Sequence, residues 1–155
     1  MKVQDVEQFA TDLEGMADAM SRLVPEALKL CEPKIIENII ENFSQQSTPD
    51  GIAWPERKKI GDGHPLLVET QTEGSGSLFG AATGQAGGHI SRVEGNTLLV
   101  GVDKSGGIGG IPGAGVHNYG NPEKNISQRE FLAISEATED ECAELILEHC
   151  AQALE

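Results

Sequence analysis

The stretch 89-HISRVEGNTLLVGV-102 decides the predicted fold. Its two runs of β-branched and apolar residues, 89–93 and 97–102, flank Glu94-Gly95-Asn96, a connection typical of a β-hairpin. Shorter runs at Val116–Tyr119 and Glu130–Ile134 are candidates for further strands. The sequence therefore predicts a small, mainly antiparallel sheet drawn from residues 89–134.

A helical pattern precedes this sheet. From about residue 4 to residue 21, apolar side chains recur every three or four positions, which predicts an amphipathic helix. A second helix is expected to begin near Pro25, because proline suits a first turn. Pro33 is expected to kink or break that second helix. Both apolar faces would need the sheet, or each other, to cover them.

The 155 residues suit one domain with one core. Thr138 and Glu141 have the spacing of a capping box and predict the start of a closing helix. The fold class is therefore α+β, with N-terminal helices and a C-terminal helix packed against the sheet. The predicted parts are a helical segment (1–46), a glycine-rich connection (47–88), the sheet (89–134) and the closing helix (138–154).

The chain is strongly acidic, with a net charge of −14 from 25 acidic and 11 basic residues. Such a charge repels nucleic-acid phosphates and anionic membrane surfaces, so neither is an expected partner. No run of apolar residues is long enough to span a membrane, and nothing resembles a signal peptide. The basic triplet Arg57-Lys58-Lys59 is expected to be a solvated turn or a contact with acids on a neighbouring subunit.

The three cysteines, Cys31, Cys142 and Cys150, are expected to be reduced thiols on buried faces. An odd count without a secretion signal is typical of a cytoplasmic setting. Cys142 and Cys150 would lie roughly 12 Å apart on one helix, which is too far for a disulfide.

No pattern of catalytic or cofactor-binding residues emerges. The four histidines lack metal-ligand spacing, so a zinc site would have to be assembled from scattered residues. The glycine-rich segments lack the Lys-Ser/Thr ending of a phosphate loop, and no Gly-x-Ser-x-Gly is present. The sequence therefore predicts no cofactor, no metal and no enzyme.

Two features point instead to packing and contacts. Trp54 is the only tryptophan in an aromatic-poor chain and is expected to anchor its turn to the core, as are Phe43 and Phe131. The loop 103–115 has six glycines and is expected to become ordered only on contact with a neighbouring protein. Its Ile108 and Ile111 are the candidate contact residues; the alternative is an idle hairpin tip.

An ordered series of short motifs runs along most of the chain. It comprises Phe43, Pro49-Asp50-Gly51, Trp54, His64-Pro65-Leu66-Leu67, Gly76-Ser77-Leu78, Val100-Gly101, His117-Asn118-Tyr119-Gly120, and Ile126–Arg129 followed by Phe131-Leu132-Ala133-Ile134-Ser135. This series resembles the phage virion morphogenesis family, the tail-completion proteins of Mu-like contractile-tailed phages. Gln128 and Glu130 depart from that family's pattern around Arg129.

The resemblance implies a structural virion protein that completes the tail or forms the neck at the head–tail junction. It implies assembly in the host cytoplasm into a six-fold homo-oligomeric ring, with other neck, tail-terminator or tail-tube proteins as further partners. DNA would pass through the ring without specific binding. In this setting His117 and Arg129 would be structural or inter-subunit residues.

Two other classes of function stay open at this point. An acidic cytoplasmic protein that mimics DNA would account for the charge but not for the ordered motifs. A small hydrolase would need an acid pair or a histidine that nothing in the sequence selects. Molar mass in solution separates the ring from the DNA mimic, which would be a monomer or dimer.

Overall fold

A computed structural model describes residues 3–56, 67, 78–103 and 114–153. Helices at both ends and a central antiparallel hairpin confirm the α+β class. In chain order the elements are α1 (Val3–Gln45), α2 (Leu78–Ala82), β1 (His89–Glu94), β2 (Thr97–Val102), α3 (Ala114–Tyr119) and α4 (Glu136–Gln152).

The predicted hairpin is confirmed. β1 and β2 pair antiparallel from His89 opposite Val102 to Glu94 opposite Thr97, which leaves a two-residue loop. Gly95 opens this loop at a φ of 58°, in the left-handed region that glycine adopts without a Cβ penalty. The hairpin packs on α1 and α2.

The two predicted N-terminal helices are one. α1 runs without interruption for 43 residues, about 65 Å, with Pro25 and Pro33 inside it. Each proline removes one backbone hydrogen bond and disfavours the preceding turn, which was the reason to expect a break. The helix persists because α4 packs along its second half and the core takes up its end. The break was predicted from local helix propensity alone, which does not include this tertiary packing.

Helix α4 lies antiparallel to the second half of α1. The Lys34 ammonium is 3.0 Å from the Glu141 carboxylate, and the Cys31 thiol is 3.7 Å from the Cys142 carbonyl oxygen. Ser135 caps α4, because its hydroxyl accepts a hydrogen bond of 3.1 Å from the Thr138 amide. The predicted cap at Thr138 was therefore three residues late.

Neither of the two further candidate strands forms. Residues 116–119 belong to the helical turn α3, which brings Ala114 and Asn118 to one buried face. Residues 130–134 form no ladder, since asparagine side chains take their backbone groups. Within the described residues the sheet therefore ends at Val102, well short of the predicted residue 134.

The core is small and aromatic. Phe43 at the end of α1 is 2% exposed and lies between three other rings, with centroid distances of 5.4 Å to Trp54, 5.2 Å to Phe79 and 5.4 Å to Phe131. The Trp54 and Phe79 contacts are edge-to-face, an arrangement that aromatic pairs favour. All three predicted anchors therefore meet in one cluster, and α1 supplies its centre.

Candidate functional site

The irregular segment 129–135 is held by side chains of α1 and α3. The Asn42 amide on α1 donates to the carbonyl oxygens of Phe131 (3.3 Å) and Ala133 (2.8 Å). The Asn118 side-chain oxygen on α3 accepts from the Phe131 and Leu132 amides, both at 3.0 Å. A buried backbone group without a hydrogen-bond partner lowers the stability of the fold. The two asparagine side chains supply the hydrogen bonds that a neighbouring strand would otherwise supply.

A third asparagine extends this arrangement to α4. The Asn38 side-chain oxygen accepts a 2.8 Å hydrogen bond from the amide of Ser135, the residue that caps α4. Asn38 and Asn42 are four residues apart, so both point from the same face of α1. Neither asparagine was predicted as a functional residue, although two asparagines one turn apart within an isoleucine-rich helical stretch were the available signal.

Arg129 is buried and fastens the start of this segment to the Trp54 turn. Its guanidinium donates to the Pro55 carbonyl oxygen from Nη2 (2.9 Å) and Nε (3.2 Å), and to the Glu56 carbonyl oxygen at 3.4 Å. Its own amide donates to the His117 carbonyl oxygen at 2.8 Å. A planar fork of donors suits several carbonyls at once, so Arg129 is a structural clamp in this chain.

His117 sits beside this clamp and stays neutral. Burial, and secondly the Arg129 charge, lower the pKa of His117 below its usual 6.5. Its Nδ1 is buried with no hydrogen-bond partner among the described residues. The structure thus brings His117 and Arg129 together, in contacts within the chain.

The other predicted contact residues cannot be placed. Arg57, Lys58, Lys59, Ile108 and Ile111 lie outside the described residues. Only the ends of the predicted loop 103–115 are described: the Asp103 amide donates to the Gly88 carbonyl oxygen at 2.7 Å, and Ala114 lies in the core.

Within the described ranges, no three His, Cys, Asp or Glu side chains are grouped so as to hold a metal ion. The described cysteines are free thiols, of which Cys31 and Cys150 are buried. Burial, and secondly the Cys142 thiol, raise the pKa of Cys31 to about 11, so this thiol is protonated at neutral pH. In the same ranges, no helix combines the length and the apolar character needed to cross a bilayer.

The first half of α1 carries an uncovered apolar face. All residues from 6 to 18 are exposed, including large apolar side chains at regular spacing. The exposed set is Val6, Phe9, Leu13, Met16 and Met20. The expectation that the sheet or another helix covers this face is therefore wrong for the described residues.

Comparison with protein-family models, with curated proteins and with solved structures finds no match to this chain.

Proposed function

We propose that this chain is a structural component of a tailed-phage virion, which completes the tail or forms the neck as a homo-oligomeric ring around the DNA conduit. The observation that carries the proposal is the ordered motif series, which resembles the phage tail-completion family. The fold supports it, because motif residues far apart in sequence meet in one core. These residues are Phe43, Trp54, Leu67, Leu78 and Phe131.

The placement of His117 and Arg129 also supports a structural role. Both belong to the family-like motifs, and both are engaged in holding the segment 129–135. A catalytic histidine needs access to a substrate, whereas His117 is kept neutral by burial. We therefore assign these two residues to the chain's own packing and look for subunit contacts elsewhere.

The charge of the surface fits a conduit for DNA. Helix α4 exposes a row of carboxylates and has no Lys or Arg. Acidic side chains repel the passing duplex, while a basic groove would bind its phosphates and retain it. The exposed carboxylates of α4 are Glu136, Glu139, Asp140, Glu141, Glu144 and Glu148.

A closed ring joins two different patches of each subunit. We propose that the basic triplet Arg57-Lys58-Lys59 of one subunit faces the acidic helix α4 of the next. Such contacts weaken as salt screens them, so assembly should decline with rising ionic strength.

The competing function is an acidic protein that mimics DNA and blocks a basic surface. The net charge of −14 favours it. Light scattering separates the two functions: the ring has about six times the 16.4-kDa chain mass, whereas the mimic is a monomer or dimer. Electron microscopy should show closed rings, and mass spectrometry should detect the chain in purified phage particles. A strict monomer at high concentration that is also absent from particles would overturn the proposal.

A further inference from the structure

The exposed apolar face of α1 repeats with the period of a coiled coil. Its large side chains step by three, four, three and four residues from Val6 to Met20, and Leu23 continues the pattern. This spacing gives an average of 3.5 residues, the repeat that keeps a seam facing another helix as the two wind around each other. In heptad terms the a positions are Val6, Leu13 and Met20, and the d positions are Phe9, Met16 and Leu23.

The chain itself covers the continuation of this face but not its beginning. Downstream, Ala27 is fully buried and Cys31 contacts α4. Close to the end of α4 at Gln152, the His149 imidazole is 3.9 Å from the Glu26 carboxylate. Residues 23–25 beside this end are half-buried, whereas residues 6–18 are exposed, so the apolar repeat extends beyond the part of α1 that the described residues cover.

We propose that a second copy of this chain covers the seam, with residues 6–23 of the two α1 helices forming a parallel coiled coil. The inference stands apart from the proposed virion role, since it rests on α1 alone.

The flanking residues accommodate a copy of the same chain in parallel orientation. The e positions beside the seam are small and apolar, Ala10 and Ala17, and the g positions are Asp12 and Ala19. A parallel pair sets each g residue opposite an e residue of the partner, so Asp12 faces an alanine.

The size of the seam also suffices. Its five exposed side chains are between 37% and 62% exposed. At roughly 200 Å² for a fully exposed side chain, a value for aromatic rings that is an upper value for Val, Leu and Met, they offer at most roughly 500 Å² per chain. Two chains together therefore have at most roughly 1,000 Å² to bury, which is the lower limit for a specific interface. A proline or a glycine at an a or d position would weaken the seam. Pro25 lies at an outer f position and Gly15 at an outer c position, so neither is in the seam.

An anionic membrane is the wrong partner for this face. The same stretch carries Glu7, Asp12, Glu14 and Asp18 and no basic residue, and the nearest basic residues on either side are Lys2 and Arg22. Interfacial helices hold lipid headgroups with lysine and arginine along the polar face. A helix with acidic flanks is repelled by such a surface.

The test compares Leu13→Glu with Thr11→Glu in the full-length chain. Both add one carboxylate to an exposed part of α1, but Leu13 lies in the seam and Thr11 lies at an outer f position. Sedimentation equilibrium should give wild type and Thr11→Glu the same self-association constant, and Leu13→Glu at least ten-fold weaker association. Unchanged Trp54 emission verifies that each variant is folded.

Orientation is tested by Leu13→Cys with Thr11→Cys as control. In a parallel coil the two introduced thiols at position 13 meet, so glutathione disulfide as oxidant should give a covalent dimer in high yield. Thr11→Cys should give only the background of the wild-type thiols. A 13–13 yield no greater than this background overturns the parallel arrangement.

The remaining outcomes decide the inference as a whole. A wild-type chain that stays monomeric, or a Leu13→Glu variant that associates like Thr11→Glu, overturns it. Binding of the monomer to phosphatidylglycerol vesicles through Leu13 also overturns it, in favour of a membrane. A chain that self-associates through Leu13 but is absent from particles removes the virion proposal and leaves the coil. A monomer that is found in particles removes the coil and leaves the virion proposal.

Discussion

The two halves of α1 have similar apolar periodicity and opposite surroundings. Phe9 in the first half is 62% exposed, while Phe43 at the other end is 2% exposed and touches three aromatic rings. The second half is covered by α4, by the hairpin and by the segment 129–135. A periodic pattern therefore specifies which face of a helix is apolar, but it does not specify which part of the protein covers that face.

The largest effect expected from this contrast comes from matched phenylalanine truncations. Phe43→Ala should lower the free energy of unfolding by about 3–5 kcal/mol, because it empties the centre of the core. Phe9→Ala should change it by no more than about 0.5 kcal/mol in dilute protein, since the ring is exposed. Denaturant unfolding at low protein concentration measures both. Equal losses would mean that the two halves do not differ as described.

Substitution of Trp54, which packs on Phe43 in the core, is a second test that the second half of α1 is covered. Trp54→Ala should also cost about 3–5 kcal/mol, since the indole is 5% exposed and packs on Phe43. The native emission should be blue-shifted and shielded from a soluble quencher. A Phe9→Trp probe in a Trp54→Phe background should be red-shifted and readily quenched when the protein is dilute. Easily quenched emission from native Trp54 would contradict its burial.

The asparagine contacts should give a smaller loss. Asn42→Ala leaves the buried Phe131 carbonyl and the part-buried Ala133 carbonyl without this donor, which should cost about 1–3 kcal/mol. Gln45→Ala is the control, because Gln45 is exposed and bonds only within its own helix, to Glu41. Thermal unfolding of both variants measures the difference. A loss from Asn42→Ala no larger than that from the control would show that the segment is held by other contacts.

The smallest effect expected is the pH dependence that His117 contributes. Burial and the Arg129 charge lower the pKa of His117 in the folded chain, while the unfolded chain titrates near 6.5. The unfolded state therefore binds more protons below that value, and the free energy of unfolding falls as the pH drops below about 6.5. His117→Gln should show a shallower fall between about pH 7.5 and pH 5.5. Identical slopes in the variant and in wild type would remove His117 as a contributor.

The elements that were predictable from the sequence are those whose signal is local. The hairpin 89–102 has both its strand pattern and its turn glycine in one stretch, and the aromatic anchors stood out in a chain with few aromatics. The closing helix was also found, although its cap lies at Ser135 and the predicted cap was Thr138. These features need no knowledge of distant contacts.

The features that were mispredicted depend on contacts between distant residues. α1 continues past Pro33 because α4, more than 100 residues later, packs beside it. The residues 130–134 resemble a strand but bond to asparagines on α1 and α3. The clamp of Arg129 on Pro55 joins residues 74 positions apart. The sequence marks the asparagines of α1 as unusual, but it does not show which distant residues they or Arg129 contact.

The asparagine contacts also fix the length of the segment between Arg129 and Ser135. Asn42 and Asn118 bond to backbone atoms at fixed positions in residues 131–133. An inserted residue would shift these backbone atoms, so the two asparagines could no longer make all of their hydrogen bonds at once. The neighbouring turn is different, because Asn121 and Ile126 close it with two mutual backbone hydrogen bonds of 2.8 and 2.9 Å. Length changes and inserted tags therefore belong in the exposed residues 122–125, where they leave that closure intact.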